Sequence, residues 1–211
     1  MREDELKIYR TSRHNGFRVD YDNFYQQSRL YTNWGNPVAN IRSKIYFLNQ
    51  FRCRLPNTIA DELLPVLEKV SPLFTLVQGV EIQDLNEREE IYPVIQKIFE
   101  RLRGGVERFR GTATSKFMHM TCPNFFAMAD SVITGYMQRH NIINHYLKVS
   151  EDYIRLLKYY CNEINELLED VMDRHGVNRL DAINRVREKD NYAVGSILRI
   201  VDKHFYRLAT H

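Results

Sequence analysis

Residues 150–176 read SEDYIRLLKYYCNEINELLEDVMDRHG, and this stretch is the clearest indication of the fold. Its apolar residues recur every three or four positions, so they share one face of an α-helix. They are Tyr153, Leu157, Tyr160, Ile164, Leu167 and Val171. Ser150 predicts an N-cap and Gly176 predicts the end of the helix. The pattern therefore predicts one long helix that buries a single face.

The chain from Val38 onward repeats this periodicity in shorter segments. Helices are predicted over residues 38–51, 59–70 and 87–103, from 112 or 114 to just before Pro123, from 131, over 179–188 and over 192–208. Residues 70–80 fit either a short buried strand or a further helical turn. We therefore predict an all-α fold, with seven to nine helices in a single helical domain over residues 38–211. Residues 1–37 lack a sustained period, which indicates an irregular arm.

Composition narrows the class of protein before any motif is considered. The 211 residues include 44% hydrophobic residues, enough for a substantial core, and only nine glycines and six prolines, which argues against a turn-rich barrel. The three cysteines are far apart and predict neither a disulfide framework nor a zinc ribbon. No run approaches the roughly 20 apolar residues of a membrane span. We expect a cytoplasmic protein without a membrane partner.

The charges are arranged in blocks, and residues 96–149 carry +5 between two acidic blocks. Within this block, residues 101–133 read RLRGGVERFRGTATSKFMHMTCPNFFAMADSVI. A glycine there opens a helix whose free N–H groups can bind a phosphate, with basic side chains nearby. This hairpin-like basic element predicts a nucleic-acid-binding surface, comprising Arg108, Arg110, Gly111, Thr112, Ser115 and Lys116. The alternative is an ordinary surface connection whose basic residues are only solvated.

The same segment resembles a family of intracellular helical proteins of uncharacterised activity. Its signature is S-K-x-x-H-x-x-x-P-x-x-F-x-x-x-D, matched here by Ser115, Lys116, His119, Pro123, Phe126 and Asp130. The helix start at 150–153 is also similar, and the resemblance covers roughly residues 108–170. The family usually has tryptophan before the aspartate, whereas Ala129 stands here. The resemblance implies a helical fold and no particular activity.

A more distant resemblance is to helix-hairpin-helix DNA glycosylases, in which a glycine-opened helix precedes a helix-capping aspartate by about twenty residues. Gly111 and Asp130 are nineteen positions apart. The resemblance implies that Asp130 is catalytic and stabilises positive charge on the sugar of a flipped nucleotide. The lysine of the bifunctional enzymes would stand at Thr112, and the hairpin glycine at Phe109, so a Schiff-base lyase is not expected.

Asp130 also has a simpler interpretation as an N-cap of the helix that begins at Ser131. Ser115 and His119 share a helix face, but no carboxylate completes a triad, so we expect His119 to orient a loop. The seven histidines lack metal-ligand spacing, and no metal or cofactor is predicted. Aromatic residues of the arm fit base stacking or, alternatively, a cover for the core; they are Tyr21, Phe24, Tyr25, Tyr31 and Trp34.

These observations predict a nucleic-acid-associated protein, with DNA favoured over RNA, that is a candidate monofunctional glycosylase-like enzyme. The alternative is a non-enzymatic helical interaction protein, either a homodimer or a defence-type partner subunit. In that case the alternating charge blocks would pair across an interface.

Overall fold

The computed structural model of the protein describes residues 1–6, 13–14, 17–18, 37–51, 53–56, 58–190 and 196–210. Within these ranges it contains eight α-helices, which confirms the all-α prediction. They are α1 (Pro37–Gln50), α2 (Ile59–Val77), α3 (Tyr92–Gly105), α4 (Gly111–Thr121), α5 (Ser131–Arg139), α6 (Ser150–His175), α7 (Arg179–Glu188) and α8 (Ile197–Thr210). Two 3₁₀ helices, Ile82–Glu87 and Glu89–Ile91, connect α2 to α3.

Helix α6 is the centre of the molecule, and α3, α7, α8 and the first 3₁₀ helix pack around it. The apolar face that its sequence predicts is fully buried from Tyr153 to Val171. One continuous core runs from Ile41 in α1 to Phe205 in α8. A smaller cluster of Phe47, Met120 and Met128 lies apart from it.

Helix α2 settles the ambiguity at residues 70–80, because it continues to Val77 as an α-helix. It contains two prolines, Pro65 and Pro72, whose side chains are exposed. Its opposite face is held in the core by the buried residues Leu63, Val70, Phe74 and Val77. Burial of this face offsets the hydrogen bonds that the prolines cannot donate.

The two ends of α6 differ in how well the sequence predicts them. Gly176 ends the helix in the left-handed conformation (φ 61°), as expected. The predicted cap at Ser150 is wrong, because Val149 occupies the N-cap position and Ser150 is the first residue of the helix. The Ser150 hydroxyl donates to Glu100 Oε1 of α3 at 2.7 Å. Hydrogen bonds to a charged carboxylate are stronger than those between uncharged groups, and this bond ties α6 to α3.

Most of the predicted arm lies outside the described residues, including its aromatic residues. Residues 13–14 and 17–18 form a two-residue antiparallel pair on either side of Asn15-Gly16. The first residues lie on the C-terminal end of α6, where the Glu3 N–H donates to Asp170 at 2.8 Å and Arg174 pairs with Asp4 at 3.0 Å.

Candidate functional site

Two signature side chains of α4 hold the segment that leads to α5. The Ser115 hydroxyl donates to the Ala129 carbonyl at 3.1 Å and accepts from the Ala129 N–H at 3.2 Å. One turn later, His119 Nδ1 forms a short hydrogen bond to the Phe126 carbonyl. Both side chains are fully buried. The prediction that His119 orients a loop is confirmed, and Ser115 has the same role.

Helix α6 also forms a hydrogen bond with the segment over residues 126–129. The Tyr153 hydroxyl of α6 donates to the Ala127 carbonyl at 3.0 Å. Its ring stacks on Phe99 of α3 at a centroid distance of 5.0 Å. Buried non-helical backbone needs such side-chain partners, because water cannot reach it. The signature residues therefore serve to bury this segment against α4 and α6.

Asp130 follows this segment and caps α5. Its Oδ1 accepts from the N–H groups of Val132 and Ile133, each at 2.9 Å. The N-cap interpretation is therefore confirmed, and the carboxylate is turned into its own helix end. Asp130 does not line the basic cleft described below.

Lys116 is buried, with only 3% of its surface exposed. Its Nζ donates to the Phe51 carbonyl at 3.3 Å and lies 5.3 Å from the centre of the Phe51 ring. Lys44 enters the same α1–α4 interface and donates to Thr121 at 2.8 Å. Burial lowers the pKa of Lys44 to about 8. Ser115 and Lys116 thus lie inside the molecule, away from any surface that could meet a phosphate.

Asp202 of α8 is a further buried polar group that the sequence analysis did not single out. Its side chain is 1% exposed, and neither oxygen forms a hydrogen bond with a described residue. Burial raises the pKa of Asp202 to about 7, although the positive charge of Arg199 acts in the opposite direction. This carboxyl lies within the core, where no described cleft reaches it.

The predicted basic segment does open onto a surface cleft of about 450 Å³, which we call the basic cleft. Its walls come from the last turn of α3, the connection to α4, the first residues of α4 and the loop before α6. The lining residues are Arg103, Glu107, Phe109, Arg110, Gly111, Thr112, Tyr146, Leu147 and Lys148.

Among the described residues, the basic cleft presents three cationic side chains against one acidic side chain, Glu107. Arg103, Arg110 and Lys148 are exposed, and none of the three forms an ion pair within the described part of the chain. Three cations against one carboxylate among the described residues create a positive potential in a concave surface. The cleft is therefore suited to an anion.

The first turn of α4 adds hydrogen-bond donors at this position. Arg110 occupies the N-cap position, and its side chain makes no capping hydrogen bond. In the described residues, no acceptor is paired with the N–H groups of Gly111, Thr112 or Ala113. Such groups carry the positive end of the helix dipole.

Gly111 is required at this position by the close approach of the loop before α6. A Cβ on Gly111 would lie 2.2 Å from the Leu147 carbonyl oxygen and 2.7 Å from Leu147 Cβ. No side chain fits at that distance, so glycine is needed for the two backbones to meet.

The loop over residues 141–149 is held rigidly on its inner side. The buried Asp152 carboxylate accepts from the Asn144 and His145 N–H groups at 2.9 and 2.8 Å. Leu147 is 1% exposed and has a left-handed backbone with φ 49°. A non-glycine residue in this conformation costs on the order of 1–3 kcal/mol and persists only where its surroundings enforce it. The backbone that carries Tyr146 and Lys148 is therefore anchored to α6 beside the cleft.

The structure thus separates the predicted nucleic-acid-binding residues into two groups. Arg110, Gly111 and Thr112 line the basic cleft, and Arg108 is exposed beside it. Ser115 and Lys116 are buried, as are His119 and Phe126, while Pro123 is half-buried. Sequence reasoning missed Tyr146 and Lys148, because the loop at 141–149 has no periodic pattern to place it. Arg103 belongs to the basic segment 101–133 but is not among the predicted binding residues.

Two classes of site find no support in the described ranges. No three His, Cys, Asp or Glu side chains converge there in a way that could hold a metal ion. No helix within those ranges is long and apolar enough to cross a membrane.

In comparisons with known proteins, the chain matches no protein-family model, no curated protein and no solved structure. The two resemblances drawn from the 101–133 segment therefore stay predictions. The function must be argued from the geometry of the cleft.

Proposed function

We propose that this protein binds nucleic acid, DNA in the first instance, through the sugar–phosphate backbone at the basic cleft. The observation that carries the proposal is the group of three unpaired cations, Arg103, Arg110 and Lys148, in one concave surface. Nucleic acids present a row of phosphate anions that such a group of cations can bind. Contacts with the sugar–phosphate backbone supply most of the affinity of sequence-independent binding.

The N–H groups at the start of α4 add hydrogen bonding to the attraction by the three cations. N–H groups without acceptors at the first turn can donate to a phosphate oxygen, as helix N-termini do in other phosphate sites. Thr112 adds a half-buried hydroxyl at the same edge. These donors fix the position of a phosphate, whereas the cations supply long-range attraction.

The proposal does not include catalysis by Asp130. Asp130 does not line the basic cleft, and its Oδ1 accepts from two backbone N–H groups of α5. The buried Lys116 likewise has no route to a phosphate in the cleft. Binding is the function that the arrangement supports.

The test is the affinity for a fluorescently labelled oligonucleotide at low salt, measured by fluorescence anisotropy. The triple variant Arg103→Gln, Arg110→Gln, Lys148→Gln keeps the side-chain bulk and removes the charges. We expect it to lose at least about tenfold in affinity, since each phosphate contact contributes separately. Arg42→Gln, Arg88→Gln, Arg185→Gln is the matched control, because these exposed arginines lie outside the cleft.

Equal affinities of the two triple variants would refute the proposed site. No binding of the wild type to any oligonucleotide would refute the function. In that case light scattering after size-exclusion chromatography would test the alternative of a homodimeric interaction protein.

A further inference from the structure

Tyr146 is the aromatic side chain that the cleft offers to solvent. It lines the wall between the α4 start and Lys148, and 54% of its surface is exposed. Phe109, the other aromatic lining residue, is fully buried. An exposed aromatic ring beside unpaired cations is the combination that stacks bases and holds phosphates in single-strand-binding proteins.

The ring is also supported from behind. The position of a Cβ on Gly135 of α5 lies 3.7 Å from Tyr146 Oη and 3.9 Å from its Cε1, so the edge of the ring lies over this glycine. The backbone on its C-terminal side is anchored by the buried Leu147. A ring held at its edge and at its backbone loses little conformational entropy when a base stacks on it.

The cleft is small, and its exposed aromatic ring favours a single strand over a duplex as the ligand. Its volume of about 450 Å³ lies in the range of roughly 300–1,000 Å³ that encloses a small-molecule ligand. A duplex keeps its bases stacked inside and presents only their edges in its grooves. A base can therefore stack on Tyr146 only if it is free of its own stack.

We propose that the cleft takes single-stranded nucleic acid, with one base stacked on Tyr146 and the adjoining phosphates held by Arg103, Arg110 and Lys148. This inference rests on the nucleic-acid binding proposed above and adds the form of the ligand. Sequence preference is expected to be weak, because every base has a face that can stack.

The experiment compares a labelled 15-nucleotide oligo-dT with a duplex of the same length, at the same salt concentration. Wild-type protein should bind the single strand about tenfold more tightly or better. Tyr146→Leu should weaken single-strand binding by about 5- to 150-fold, the loss that corresponds to removing one stacked base. Tyr146→Phe keeps the ring and should stay within about twofold of wild type. None of these changes should affect the duplex.

Tyr46→Leu is the matched control, because Tyr46 is 63% exposed on α1 and does not line the cleft. Circular dichroism spectra of all variants should be the same, since both tyrosines are exposed. Equal affinity for the two forms of DNA, or an unchanged single-strand affinity in Tyr146→Leu, would overturn the inference and leave the cationic site standing. If the triple charge variant loses binding to both forms while Tyr146→Leu does not, the cationic site is still supported. No binding of the wild type to either form overturns both proposals.

Discussion

Asp130 has two interpretations, a helix cap and a catalytic carboxylate, and substitutions at this one position can separate them. Asparagine also caps helices well, so Asp130→Asn should leave the free energy of unfolding nearly unchanged. Asp130→Ala removes the acceptor for two N–H groups and should cost about 1 kcal/mol. Urea denaturation measures both variants. Oligonucleotide affinity should be the same in Asp130→Asn and wild type.

If Asp130 were catalytic, Asp130→Asn would lose an activity that the wild type has. Damaged or modified oligonucleotides would then release a base with the wild type and not with Asp130→Asn, although both proteins melt at the same temperature. That result would contradict the assignment of Asp130 as a cap alone.

The buried carboxyl of Asp202 makes the free energy of unfolding depend on pH. Because burial raises its folded-state pKa to about 7, above the unfolded value of about 3.9, the native state keeps a proton that the unfolded chain has lost. This group should therefore lower stability progressively as the pH rises from about 4 to about 7, with no further change above that range.

Asp202→Asn removes this titration. The stability of the variant relative to wild type should improve as the pH rises from about 4 to about 7 and stay constant above that range, as measured by urea denaturation at each pH. The matched control is Asp173→Asn, which removes an exposed carboxylate from α6. Parallel stability curves for wild type and Asp202→Asn would contradict the assignment.

At the scale of elements, the contact between α4 and the 141–149 loop forms the cleft. Gly111→Ala places a Cβ within 2.2 Å of the Leu147 carbonyl, so the loop must move. We expect a lower melting temperature together with weaker oligonucleotide binding. Gly104→Ala is the control, because nothing lies within 4 Å of the added carbon, and a helical Gly→Ala change stabilises by about 0.4–1 kcal/mol. Equal effects of the two substitutions would show that the contact is not needed.

Individual helices could be predicted from the sequence because their evidence is local. The stripe of α6, the stop at Gly176 and the cap at Asp130 all depend on residues within a few turns. The hydrogen bond of the Ser150 hydroxyl could not be predicted, since its partner Glu100 is fifty residues away. The same limit applies to Lys116, whose burial depends on the contact with Phe51, which directly follows α1 and is 65 residues away.

At the scale of the whole molecule, the all-α fold class can be predicted from the periodicity of apolar residues. The composition of the basic cleft cannot. The sequence places Arg110, Gly111 and Thr112 together because they are adjacent. Arg103 and Lys148 join them only because α3 and the loop before α6 meet at the start of α4. Such a meeting depends on long-range packing, which a single sequence does not specify.

The central claim is that the basic cleft binds the phosphates of nucleic acid, and the salt dependence of affinity tests it most directly. For a single strand the logarithm of the association constant should fall with the logarithm of salt concentration, by roughly 0.7 per phosphate contact, or about 2 for three cations. The triple variant Arg103→Gln, Arg110→Gln, Lys148→Gln should lose nearly all of that slope relative to wild type. An unchanged slope in this variant would contradict the claim, because the phosphates would then be bound elsewhere on the protein.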